Sequence, residues 1–282
     1  MSPLPTRPAI LAVLALAGQA PAHPALIGGF RPIAAEEGAR ALWVNPAAVG
    51  LTGMGTAVAE LFLDEPAAAL PEGGGEWTFP SDVSGFGAAA ATDRMAYGYQ
   101  RELEDRPGVP SWTFALANRV SMGRHANVGA ALEWRGGEDG GLEGQLGALL
   151  PAGRHLRLGV VLHELFERGA DGADGSRHWQ VGGALRLTPL LARVTWDAEL
   201  PETGDPVHWF GFAVDRSKAA HLSLARSSEG DWSASLDLAF PNHLVGVGAL
   251  DRDASETKPD RAFLAAEWRG QALPGAGATP RR

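Results

Sequence analysis

Cysteine is missing from this chain altogether and lysine nearly so, with only Lys218 and Lys258 among its 282 residues. No disulfide framework can form, so an exported fold would have to be closed by other means. There is no polybasic segment, and the formal net charge is -9. That balance excludes a nucleic-acid surface, which needs clustered Lys and Arg. Past the N-terminus no apolar run approaches about 18 residues, so the sequence offers no membrane-spanning helix. Amphipathic helical patterning is also missing beyond residue 50.

Catalytic constellations are equally scarce. His163-Glu164-Leu165-Phe166-Glu167 opens like a zinc-protease helix, but Glu167 stands where the second His is needed. Gly246-Val247-Gly248 has neither the third Gly nor the following helix of a dinucleotide loop. No Gly-x-Ser-x-Gly elbow occurs, and Ser217-Lys218 falls in an expected turn. The Asp- and Gly-rich stretch 169–175 has too few ligands for a defined calcium loop and reads as a flexible external loop. The eight His are scattered singly, with His163, His178 and His221 on a polar face where a hydrogen bond is expected rather than a metal. The chain therefore reads as a non-enzyme, with no catalytic residue, metal site or cofactor expected.

What the chain has in quantity is period-two alternation. From 231 to 240, Trp232, Ala234, Leu236, Leu238 and Phe240 share one face, and Asp231, Ser233, Ser235 and Asp237 the other. Similar segments recur at 56–63, 84–91, 94–103, 111–120, 126–135, 142–150, 155–164, 178–187, 191–200, 208–215, 219–226, 243–250 and 261–269. Each has roughly 8 to 10 residues, the length of a tilted membrane-spanning strand. The connections alternate short and long along the chain, as in barrels with tight periplasmic turns and longer outer loops. Trp112, Trp134, Trp179 and Trp232 would all face outward near the long-loop end, at the level of a bilayer interface. A sheet edge in hydrocarbon leaves backbone groups unpaired at several kcal/mol each, so such a sheet must close.

The first residues fit export. Arg7 precedes an apolar run over 9–17, and Ala20-Pro21-Ala22 offers the small residues of a cleavage site, which divides 1–22 as a signal peptide from a mature chain. The stretch 34–43 lacks alternation and carries Glu36 and Glu37 early, predicting a short helix with acidic residues in its first turn. Asn45-Pro46 restarts a helix, Asn as N-cap and Pro at the first position.

At Gly38-Ala39-Arg40-Ala41-Leu42-Trp43-Val44-Asn45-Pro46-Ala47-Ala48 the chain resembles the outer-membrane transport family typified by FadL and its PorV-like relatives. A similar barrel also precedes some bacterial signal peptide peptidase domains. Ala48 stands where the family usually has Gly. The resemblance implies a fourteen-stranded barrel with residues 23–54 as a hatch closing its periplasmic end, Trp43, Asn45 and Pro46 forming the plug element.

The expectation is thus an all-β protein: an antiparallel transmembrane β-barrel of about fourteen strands over 55–270, with a short N-terminal helical plug and a periplasmic tail at 271–282. Charges of both signs on the polar face, Glu133, Arg135, Arg157, Arg186, Arg193, Asp197 and Glu199, would line the lumen. They are either a selectivity-setting surface or a structural ladder of paired charges. Besides the outer-membrane bilayer, two partners suit such a barrel: a small hydrophobic ligand taken up passively through a partly plugged lumen, or a periplasmic protein anchored or docked there.

Overall fold

The computed structural model describes residues 30–64, 83–103, 111–123, 126–136, 141–165, 167–169, 177–188, 191–215, 220–241, 243–251 and 261–270. The expected signal peptide, the 271–282 tail, Ser217-Lys218 and most of 169–175 lie outside them.

The alternating segments form strands, in chain order β1 (Thr56–Asp64), β2 (Val83–Ala91), β3 (Met95–Glu102), β4 (Trp112–Met122) and β5 (Ala126–Gly136). They continue as β6 (Gly141–Ala152), β7 (Leu156–His163), β8 (Glu167–Gly169), β9 (His178–Leu187) and β10 (Ala192–Leu200). The last five are β11 (Val207–Asp215), β12 (Ala220–Ser227), β13 (Trp232–Ala239), β14 (His243–Asp251) and β15 (Arg261–Arg269). Neighbours in sequence are neighbours in space and antiparallel. β7 and β8 are two parts of one wall strand: both pair with β6, on either side of a bulge at Glu164 and Leu165. Glu164 takes a positive φ of 53° there. The wall therefore has fourteen strands, as expected.

Closure is made by the first and last strands, from Thr56 opposite Arg269 to Asp64 opposite Arg261. Below them the Gly270 N–H donates to the Gly55 carbonyl at 2.8 Å. No edge is left between β1 and β15, which is what a hydrocarbon setting demands of a sheet.

The two faces separate cleanly. Leu61, Phe114, Leu132, Leu146, Leu158, Val194, Phe210, Leu222, Leu236, Val247 and Leu264 point outward and are exposed. Trp112, Trp134 and Trp179 are exposed near the long-connection end, and Trp232 is half-buried there. Inward positions carry Gly, Ala, Ser, Thr and charged residues, most of them buried. With apolar side chains outside and small or polar ones inside, the molecule is inverted relative to a soluble barrel, and lipid is the solvent its surface fits.

Inside lies the N-terminal segment, and here the structure corrects the expected helix over 34–43. Only α1 (Ala41–Val44) is α-helical, followed by a single 3-10 turn, Pro46–Ala48. Glu36 and Glu37 precede the helix rather than occupying its first turn. The Ala35 and Glu36 N–H groups both turn back onto the Pro32 carbonyl, and Gly38 sits at φ +80°, which an L side chain adopts only with strain. Most of the segment is buried and none of it is fully exposed up to Gly50, so no regular solvent face exists to set a helical period.

Candidate functional site

The site is the contact between this segment and the inner wall. It begins with glycines. A Cβ placed on Gly129 would stand 2.2 Å from the Pro46 carbonyl carbon, and one on Gly147 2.2 Å from Asn45 Oδ1. On Gly98 it would lie 2.7 Å from the Leu42 and Trp43 side chains. These inward glycines, on β3, β5 and β6, leave a track into which the plug backbone fits. Alanines finish it: Ala89, Ala91, Ala96, Ala115, Ala117, Ala131 and Ala184 pack on Ala34, Ala39, Leu42, Ala47, Ala48 and Val49. The half of the lumen next to the plug is therefore a small-residue apolar surface, not a uniformly charged lining.

Polar contacts hold the plug in register. Asn45 is fully buried; its Oδ1 accepts from the Ala47 N–H at 3.0 Å, the N-cap role read from sequence. Its Nδ2 donates to the Ile33 carbonyl at 3.1 Å and the Ala148 carbonyl of β6 at 3.3 Å. Arg40, 4% exposed, donates from Nε to Glu60 Oε1 at 2.7 Å and from Nη1 to Glu267 Oε2 at 3.1 Å. Burial works against its charge, but Glu60, Glu36 and Glu267 outweigh this and hold the guanidinium protonated above its ordinary range. Arg119 Nε donates to the Val49 carbonyl at 2.6 Å, while its Nη2 donates to the Asp93 carbonyl at 2.6 Å in the short β2–β3 connection.

The plug runs lengthwise. Its C-terminal part, at Val49 and Gly50, reaches the short β2–β3 connection. At the other end the Phe30 ring stacks on Trp209 at 4.7 Å and its N–H donates to Ser233 Oγ at 3.0 Å, near the long-connection ends of β11 and β13. Between these, the Ile33 N–H donates to Asp197 Oδ2 at 2.8 Å and Glu37 pairs with Arg157.

The sequence-derived site residues thus fall into separate places. Trp43, Asn45 and Pro46 are together in the plug, Asn45 and Pro46 fully buried and Trp43 partly. Glu133 and Arg135 form a cluster with Glu143 and Gln145: Arg135 bridges both carboxylates, and Gln145 Nε2 donates to Glu133 Oε1 at 2.7 Å. Arg157 and Asp197 hold the plug, and Arg193 borders a small cavity beside it. Glu199 is half-buried one inward position beyond Asp197, and Arg186 is exposed near the short β9–β10 connection. Half of the described ion pairs join strand to strand or strand to plug, the contacts that a structural ladder of paired charges would make.

Sequence reasoning missed the pairing of Arg40 with Glu60 and the glycine track. One signal was available: Glu60 interrupts an otherwise apolar strand at an inward position. A second was the placement of Gly98, Gly129 and Gly147 at inward positions of their strands, where a bulkier residue would be expected to fill an empty barrel.

Among the described residues no group of three or more His, Asp or Glu is close enough to hold a metal ion. No family model and no curated protein matches the chain. Solved structures do. The Ralstonia pickettii toluene transporter TbuX is similar over 91% of this chain and 100% of its own, with 13% identity and a TM-score of 0.54. A mutant of the monoaromatic hydrocarbon channel TodX is similar over 87% of this chain and 99% of its own, with 11% identity and a TM-score of 0.51. At such identity the likeness is one of fold, and it is the barrel fold that the Asn45-Pro46 resemblance implied.

Proposed function

We propose that this chain is an outer-membrane channel for the passive uptake of small hydrophobic molecules, held shut in the described state by its own N-terminal segment. The observation that carries the reading is where the lumen filling comes from. Around the plug the inward wall residues are largely glycine and alanine, so the strands leave room there that their own side chains do not fill. The filling is a separate segment tied by a limited set of polar contacts around Arg40, Asn45 and Arg119. Fourteen strands enclose more room than side chains alone occupy, and a movable segment in that room is a gate. TbuX, a toluene transporter, and TodX, a monoaromatic hydrocarbon channel, share the fold, which favours an apolar cargo of similar size. Binding and passage require no covalent step.

Uptake of labelled toluene, and separately of a labelled fatty acid, into proteoliposomes tests this against empty vesicles. Full-length protein should accelerate entry of at least one, and deletion of residues 23–54 should accelerate it further. Vesicles carrying either protein that match empty ones would overturn the reading.

A second reading has its own observation: the plug is in contact with the wall at both ends and packs closely on it around Leu42 to Val49, as in a barrel that never opens and instead docks a periplasmic protein. Its signature is a co-purifying periplasmic protein that is lost when residues 23–54 are removed.

A further inference from the structure

On the β10–β13 side the plug does not fill the lumen completely. A small cavity of about 40 Å³ remains, with room for about three waters. Arg31 and Glu36 of the plug border it, facing Arg193 and Thr195 of β10, Ser223 of β12 and Ser233 of β13.

The two arginines are under-satisfied there. Arg31 has a side chain only 10% exposed, with Nη1 3.9 Å from Glu36 Oε2. Its Nε and Nη2 are buried with no hydrogen-bond partner, as is Nε of Arg193. The face of the Arg31 guanidinium lies 5.5 Å from the Phe263 ring centre, which uses its π surface and leaves its N–H edge available. Buried guanidinium N–H groups without acceptors are rare, because each has been stripped of water without replacement. Glu36 is the one acid on the cavity, and burial pushes its carboxyl above the ordinary range despite Arg31 and Arg40, so it is a poor counter-charge for two arginines.

We infer that this cavity is a binding site for one small monovalent oxyanion of formate or acetate size, held by the free N–H groups of Arg31 and Arg193. Guanidinium forks match carboxylate geometry, and the neighbouring hydroxyls of Thr195 and Ser233 can donate to the remaining lone pairs. Ser233 accepts from Phe30 through its oxygen, so its own proton is unspent. The anion would bridge plug and wall, which makes it a ligand of the closed state. The inference stands whether or not the barrel transports anything.

Thermal unfolding of the full chain in neutral detergent tests it, with sodium formate titrated against a bulky sulfonate buffer at constant ionic strength. Formate should raise Tm, the rise following the logarithm of its concentration once the site is filled, and the sulfonate should not. Arg193→Gln should need at least tenfold more formate for the same rise. A wild-type shift that is linear in formate concentration, or equal for the two anions, would overturn the inference, as would an unchanged formate dependence in R193Q. If R193Q fails to give a folded barrel, Thr195→Val carries the same test with both guanidinium groups intact: a need for more formate supports the site and an unchanged dependence rejects it.

Discussion

Asn45 ties the turn it caps to two other stretches of backbone, one in the plug and one in the wall. Its side chain satisfies the Ala47 N–H, the Ile33 carbonyl and the Ala148 carbonyl, all in a site without exposed surface. Asn45→Ala leaves these groups buried without partners, and unsatisfied groups cost about 1–3 kcal/mol each before relaxation. A local destabilisation of the plug by about 2–4 kcal/mol is expected, read as faster amide exchange over 33–48 with barrel amides unchanged. Glu36 gives the plug a pH dependence. Its carboxyl is raised from 4.5 by burial, so the docked plug binds more protons than the released one between 4.5 and the raised value. Docking therefore carries no penalty from this group below pH 4.5, weakens as pH rises through that window, and is level above it. The surrounding charges are Arg31, Arg40, Arg193 and Glu267. Glu36→Gln should flatten this part of the profile when plug release is followed by protease cleavage across the same pH range.

At the scale of elements, the glycine track decides whether the plug fits. Gly129→Val and Gly147→Val put branched side chains where even a Cβ comes within 2.2 Å of the plug, with Pro46 backbone as the obstacle in the first case. Overpacking of about 1–3 kcal/mol should make the plug roughly tenfold more accessible to protease or more. Gly183, whose added Cβ would meet nothing closer than 3.6 Å, serves as the control through Gly183→Ala. The same elements explain what could be read in advance. Strand positions were legible because alternation is a local property: the segments expected at 126–135 and 178–187 appear as Ala126–Gly136 and His178–Leu187. The Asn45-Pro46 turn was legible for the same reason, since capping chemistry lies within a few residues. The path of 30–44 was not, because its conformation is imposed by Gly98, Gly159 and Glu60, residues brought to it only by closure of the barrel. A run of alanines with two acids looks helical by propensity, and tertiary packing overrode that preference.

At the scale of the whole molecule the decisive property is the polarity of the outer wall, and it has a depth dependence that no soluble barrel would share. Leu236 lies midway along β13 between Leu222 and Val247 on the neighbouring strands, all three outward and exposed. Met122 ends β4 beside a short connection and is 62% exposed. If lipid covers the wall, Leu236→Arg places a cation near the bilayer midplane and costs about 2–4 kcal/mol, while Met122→Arg sits near the interface and costs about 0–1 kcal/mol. In water both substitutions would be surface changes within about 0.5 kcal/mol of neutral. Urea titration of folding into phospholipid vesicles separates the two cases, because stability there is measured against an unfolded chain outside the bilayer. Equal, small effects at Leu236 and Met122 would mean that protein or water covers the wall, and the channel reading would fall with it. A steep difference would leave the plug, with its glycine track and its Arg40–Glu60 pair, as the part of the molecule that sets whether anything passes.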